Sequence, residues 1–175
     1  MVPMPRLENL LGAQALALTD RLRGAAPGPA ASADYAALAT LLAHPGHTVS
    51  WLGDILGLTS SGITRLVDRL DAAGWVTRTP GADARSRRLR LTSAGRAQAR
   101  AVLRARDAAM ASALAPLTDR ERRELERLLE VVVSHLANTR VPAMQVCRLC
   151  DRAACSAADR ACPLEHTVDA DDPDR

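Results

Sequence analysis

Two groups of residues have types and spacings that could do chemistry. Near the C-terminus, Cys147-Arg148-Leu149-Cys150, Cys155 and Cys162-Pro163 form the pattern C-x2-C-x4-C-x6-C-P. An x2 pair lets two thiolates bind one ion from a single turn, and four thiolates complete a tetrahedral zinc site or hold an iron-sulfur cluster. The x4 and x6 gaps differ from those of the common zinc ribbon, and a Pro after the last Cys also occurs in ferredoxin-type runs. Spacing therefore leaves zinc and an iron-sulfur cluster both open. His166 is a spare ligand, a reversible disulfide switch is a second reading, and a tail whose thiols do little is a third. The clustering favours metal.

The second group is Leu58-Thr59-Ser60-Ser61-Gly62-Ile63-Thr64-Arg65-Leu66-Val67-Asp68-Arg69-Leu70. Ile63, Leu66, Val67 and Leu70 recur at i, i+3, i+4 and i+7, the spacing of one buried helix face. Ser61, Gly62, Thr64, Arg65, Asp68 and Arg69 are left on the other side. Small hydroxyls near the helix start, with arginines behind them, suit a helix whose first turns meet base edges in a major groove. Any surface helix is polar outside, so this face alone does not decide the matter. A separate signal follows directly. Trp75-Val76-Thr77-Arg78-Thr79 and Leu89-Arg90-Leu91-Thr92 alternate as strands do, around the turn Pro80-Gly81-Ala82-Asp83 and the basic stretch Arg85, Arg87, Arg88. That is a β-hairpin with Arg concentrated at its tip. Asp83 stands two residues before Arg85 and could orient its guanidinium, while a narrow minor groove would attract the charge.

The charge distribution agrees. Residues 59 to 106 carry eleven Arg against three Asp, a net +8, whereas residues 147 to 175 carry four Arg against seven acids, a net −3. A polyanion partner is expected for the middle of the chain, and the acidic end reads as solvated.

The elements that position these groups are mostly helical. Tyr35, Trp51 and Trp75 are the only aromatic residues, so a core drawn from the 47% apolar residues is built of Leu, Val and Ala. That favours a mainly α fold with a minor β element. Leu7, Leu10, Leu11, Leu18 and Leu22 predict a helix over 6–23, which Ala-Ala-Pro-Gly-Pro at 25–29 breaks. Ser32 and Asp34 are candidate caps for a second helix carrying Leu38, Leu41 and Leu42 and ended by His44-Pro45-Gly46, with His44 and His47 as loop residues. Thr48-Val49-Ser50 reads as a short extended piece and then a cap for a helix from Trp51 to Leu56. Gly57-Leu58-Thr59 makes the turn into the hydroxyl-bearing helix, with Thr59 or Ser60 as its cap. From Ser93 an Ala/Arg-rich helix runs to near Pro116, and the capping box Thr118-Asp119-Arg120-Glu121 opens another, read as continuing to 141. Leu125, Leu128, Leu129, Val132 and Leu136 give the latter an apolar stripe. These helices and the first exceed what a small winged domain needs for its own core, which predicts a dimer interface.

The blocks Leu52-Gly53-Asp54-Ile55-Leu56-Gly57-Leu58-Thr59 running on to Leu70, Ala73-Gly74-Trp75-Val76-Thr77-Arg78, Asp83-Ala84-Arg85 and Leu91-Thr92-Ser93-Ala94-Gly95 resemble, in order and spacing, the MarR family of winged helix-turn-helix regulators. The resemblance covers about residues 6–142, with a DNA-binding lobe at about 33–92 and dimerisation helices at about 6–23 and 93–141. Residues 143–175 form a cysteine-rich tail outside the family pattern. The resemblance implies a two-stranded β wing, long N- and C-terminal dimerisation helices, a homodimer, and a pseudo-palindromic double-stranded DNA operator. On the matching positions, Ser60, Ser61, Thr64 and Arg65 become base-reading candidates. Arg69 becomes a phosphate contact and Arg85 the wing-tip residue with Asp83 as its orienting partner. Arg87 and Arg88, from the basic stretch of the hairpin, are DNA-binding candidates on their charge. Gly62 departs from the bulkier residue expected there, at a cost of about 1 kcal/mol of helix propensity relative to Ala. Family members respond to small aromatic or phenolic compounds or to oxidants; this chain has few aromatics with which to stack such an effector.

The expected function is that of a sequence-specific DNA-binding repressor, responsive to metal or redox state through the tail. A metal- or electron-handling protein that uses a winged-helix scaffold as an interaction module is the alternative. No enzyme is expected: there is no nucleophile motif, phosphate loop or HExxH, and the four His are scattered. No apolar run approaches the roughly 20 residues that span a bilayer, and no signal core follows the N-terminus, so a cytoplasmic protein without membrane contact is expected.

Overall fold

The computed structural model describes residues 5–25, 32–80, 87–157 and 160–168. The elements are α1 (Arg6–Ala25), α2 (Ser32–Ala43), α3 (Val49–Leu56), α4 (Ser60–Ala72), β1 (Val76–Pro80), β2 (Arg87–Leu91), α5 (Ser93–Leu114), α6 (Asp119–Ser134), α7 (Arg140–Val146) and the short α8 (Arg152–Cys155). The fold is mainly helical, with one antiparallel β1–β2 wing in the register Val76↔Leu91 to Pro80↔Arg87.

Local chemistry accounts for the helix-turn-helix. Gly57 ends α3 at φ 63°, the left-handed conformation that glycine adopts without penalty. The Leu58 N–H closes the turn onto Gly53 O at 2.9 Å. Thr59 Oγ1 then accepts the Gly62 N–H at 3.2 Å and caps α4. A Cβ at Gly62 would stand 3.2 Å from that hydroxyl, so the unusual glycine leaves room for the cap. Ile63, Leu66, Val67 and Leu70 are all buried, as their spacing requires. They join Leu38, Leu41, Leu52, Val76, Leu89 and Ala99 in the core that unites α2, α3, α4, the wing and α5.

Two helix starts differ from the sequence expectation. α3 begins at Val49, because Thr48 is both the N-cap, accepting from Trp51 N at 3.2 Å, and a single β-bridge partner of Arg88. Asp34 lies inside α2, where it is buried at 5% exposure and bound to Arg69 instead of capping.

The capping box at Thr118 and Glu121 forms with both of its hydrogen bonds. Donation from the Thr118 hydroxyl and backbone holds the exposed Glu121 carboxyl below its ordinary value. A depressed folded-state value means that this contribution is present above the unfolded carboxyl range and is lost as pH falls through the folded value. A side-chain NMR titration should place the Glu121 midpoint below that of an unpartnered glutamate, and Thr118→Ala, which removes the hydroxyl but keeps the backbone donor, should move it part of the way back.

The expected helix to 141 is in fact two. α6 stops at Ser134, whose hydroxyl donates to Val131 O at 2.8 Å while the His135 and Leu136 N–H groups make tighter i−3 bonds. Pro142 can occupy the first turn of α7, but inside a continuous helix its ring would clash with the preceding turn. α6 buries none of its residues. Leu128, Leu129, Val131 and Val132 on α6, and Leu7, Leu10, Leu11 and Leu16 on α1, are exposed large apolar side chains. A second small cluster of Ala137, Ala143 and Leu164, with Val133 and Cys147, seats the C-terminal segment. No described helix is long and apolar enough to cross a membrane.

Candidate functional site

The face of α4 opposite the core carries Ser60, Ser61, Thr64, Arg65, Asp68 and Arg69, all exposed. Thr64 Oγ1 donates to Ser60 O at 2.8 Å and Arg65 Nε to Ser61 O at 3.3 Å, so both side chains lie back along the first two turns. The helix start is thereby left with short polar groups, and nothing bulky prevents its approach to a groove.

Arg69 has a structural partner that the sequence did not disclose. Its Nη2 donates to Asp34 Oδ1 at 2.7 Å, tying α4 to α2, while Nη1 reaches Arg65 O at 3.3 Å. The Asp34 side chain is 7% exposed against 54% for Arg69. Arg69→Ala should therefore cost about 1–2 kcal/mol of stability, as removal of one hydrogen bond to a buried carboxylate does. Urea unfolding measures this separately from any weakening of DNA binding.

The wing is fastened to the same body. Arg78 pairs with Asp68 and lies 3.7 Å from Asp71, so the acids of α4 anchor β1. Arg88 Nη1 donates to Gly46 O at 2.8 Å, and the β2 backbone bonds the loop through Leu89 N to His47 O and Gly46 N to Leu89 O. Arg87 and Arg88 thus stand in the strand rather than at the tip, and both are exposed. Asp83 and Arg85 lie outside the described residues. The loop residue His47 stacks on Trp51 at 3.8 Å between ring centroids, with His44 5.7 Å from the same indole.

The four cysteines, separated by up to fifteen positions, line one cavity of about 580 Å³ between the tail, α2 and α3. Cys150 Sγ and Cys155 Sγ are 3.7 Å apart, and all four thiols are free. The neighbouring Cys150 side chain lowers the Cys147 thiol below the ordinary range, and Cys147 together with burial pushes Cys150 up. Burial and the neighbouring Cys150 raise Cys155. Among the described residues no three His, Cys, Asp or Glu side chains are arranged to hold a metal ion as they stand. His166 Nε2 is within hydrogen-bond distance of Ala137 O, at 3.2 Å.

The tail is held from two sides. Thr40 Oγ1 of α2 donates to Arg148 O at 3.2 Å, and Gln145 Nε2 donates to Asp54 O in the last turn of α3 at 2.9 Å. On the other side Arg160 pairs with Glu126 of α6. None of these contacts had a local sequence signal, since their partners are 34 to 108 positions apart.

The model of the MarR family matches residues 31–86. The solved structure of a MarR family protein from Bacillus stearothermophilus is 31% identical, covering 72% of this chain and 89% of that one, with a TM-score of 0.65. The chain belongs to the MarR family. Also similar are the PcaV transcriptional regulator from Streptomyces coelicolor, at 26% identity over 73% of this chain and 95% of that one with a TM-score of 0.59, and wild-type MarR from E. coli. The latter is 25% identical over 75% and 98% of the two chains, also at 0.59. A search of curated proteins gave no match. The resemblance read from the four sequence blocks is thus upheld, and this MarR-family chain has the winged-helix fold of transcriptional regulators rather than of an enzyme.

Proposed function

We propose that this MarR-family protein is a homodimeric, sequence-specific DNA-binding repressor. The observation that carries the reading is the exposed face of α4, with Ser60, Ser61, Thr64 and Arg65 on its first turns, backed by a wing paired to it through Arg78 and Asp68. Base edges are read by the first turns of such a helix, and the Arg-rich wing adds affinity and reads groove shape. Arg69 and Arg87 supply charge for the phosphates.

Homodimerisation follows from the uncovered leucines and valines of α1 and α6, which a second copy would remove from water. A two-fold dimer reads an inverted repeat whose half-sites lie about one DNA turn apart, or roughly 34 Å. A dimer seated across two successive major grooves excludes other proteins from that stretch, so repression is the expected direction. Control of binding, whether by a small molecule or through the cysteines, acts by changing the separation of the two α4 helices.

Selection from a pool of random duplexes with the purified protein tests this. The expected product is an inverted repeat with one dimer bound per duplex. A pool that remains random after repeated rounds, with binding that depends on salt alone, contradicts it.

A further inference from the structure

We propose that Cys147, Cys150, Cys155 and Cys162 are the ligands of a single zinc ion, and that this four-thiolate site clasps the tail between the DNA-binding lobe and α6. The four residues lie within sixteen positions, and folding brings every one of them to the wall of the same cavity. Zinc–thiolate bonds of about 2.3 Å set the edge of a ZnS4 tetrahedron at about 3.8 Å. The 3.7 Å between the sulfurs of Cys150 and Cys155 matches that edge. In a four-iron cluster each thiolate sits on a different iron, and neighbouring thiolates stand much farther apart.

Cys162 lines the same cavity as the other three cysteines, and binding an ion draws the four thiols together from their present positions. Four thiolates around Zn²⁺ carry a net charge of −2. Arg140 and Arg148 line the same cavity and reduce it, while Arg160 is paired with Glu126 and Glu165 adds one acid to the lining.

The position of the site gives it a consequence. Gln145 and Arg148 tie the start of the tail to α3 and α2, and Arg160 ties its far part to α6. Along the chain Cys147 lies between Gln145 and Arg148, Cys150 and Cys155 lie between Arg148 and Arg160, and Cys162 follows Arg160. His44, at the end of α2, also lines the cavity, and the residues after it hold β2 through Leu89. An ion that closes the cavity therefore fixes the lobe against α6, and with it the spacing between the two recognition helices. The zinc-loaded form should bind the operator more tightly, by roughly tenfold, within the usual range of coupling between sites. This last step rests on the regulator reading above; the metal site itself does not.

The test uses full-length protein, reduced and freed of metal, and titrated with Co²⁺. The expected result is one Co²⁺ per chain, with the visible bands of tetrahedral thiolate-bound cobalt, bleached by one equivalent of Zn²⁺. Cys155→Ser and Cys162→Ser, each checked for native helix content by circular dichroism, should lose most of that absorbance. Absence of thiolate–cobalt bands, bands unchanged in both variants, or protein isolated with iron and acid-labile sulfide would each overturn the site. Operator affinity is then compared with and without Zn²⁺. An unchanged affinity overturns the clasp, whereas cobalt bands in a protein that binds no duplex in either state overturn the regulator reading and leave the metal site standing.

Discussion

Replacing Gly95 by alanine is expected to destabilise the protein by about 3 kcal/mol, at the upper end of what overpacking costs. A Cβ at this position would stand 1.9 Å from Trp75 O and 2.8 Å from Trp75 C. Both are backbone atoms, so no side-chain rotation relieves the clash. Retreat is blocked because the Trp75 carbonyl accepts the Thr92 N–H at 3.0 Å, and the Thr92 hydroxyl bonds both Gly74 O at 2.7 Å and the Gly95 N–H at 3.0 Å. The gain of about 1 kcal/mol in helix propensity on replacing glycine is far too small to compensate. Gly12 is the control: an added Cβ there meets nothing within 4 Å, so Gly12→Ala in α1 should raise stability by up to about 1 kcal/mol. Urea midpoints for the two variants should move in opposite directions. An unshifted midpoint for Gly95→Ala would mean that the wing does not meet the start of α5 as described.

Arg65→Ala is expected to reduce affinity for the selected operator by about 1–3 kcal/mol, or roughly 5-fold to 150-fold, the usual worth of a good base contact. Binding to unrelated duplex should fall far less. Thr64→Ala should act in the same direction, relaxing sequence preference with little effect on the salt dependence. Arg69→Ala should weaken binding to all sequences alike if its charge faces phosphate, in addition to the stability it loses with Asp34. Comparing affinities for operator and scrambled duplex over a salt series separates the three. Equal losses on both duplexes for Arg65→Ala would remove it from the base-reading set.

The parts of this fold that were legible in the sequence are those whose causes are local. The Gly57 turn and the caps at Thr59 and Thr118 each depend on near neighbours in the chain, and each stands where its sequence signal lies. The buried stripe of α4 followed from periodicity, and the family from the four blocks. What was not legible depends on tertiary approach. Asp34 looked like a helix cap because its partner Arg69 is 35 positions away. Asp68 counted only as lost positive charge until β1 brought Arg78 to it. The extra helix break between Ser134 and Arg140 could have been suspected from Pro142, but no glycine marks it. The cysteine spacing pointed to a common site without revealing that α2, α3 and α6 hold the segment around it.

The central claim is that α4 and the wing of each subunit read DNA as a pair. Hydroxyl-radical and base-methylation footprints of the selected duplex test it most directly. The account predicts two protected major grooves on one face of the helix, about ten base pairs apart, flanked by minor-groove protection from the wings. Protection of guanine N7 in the half-sites should be lost with Arg65→Ala. A footprint confined to phosphates without groove protection, or a single protected half-site with one chain bound, would contradict it.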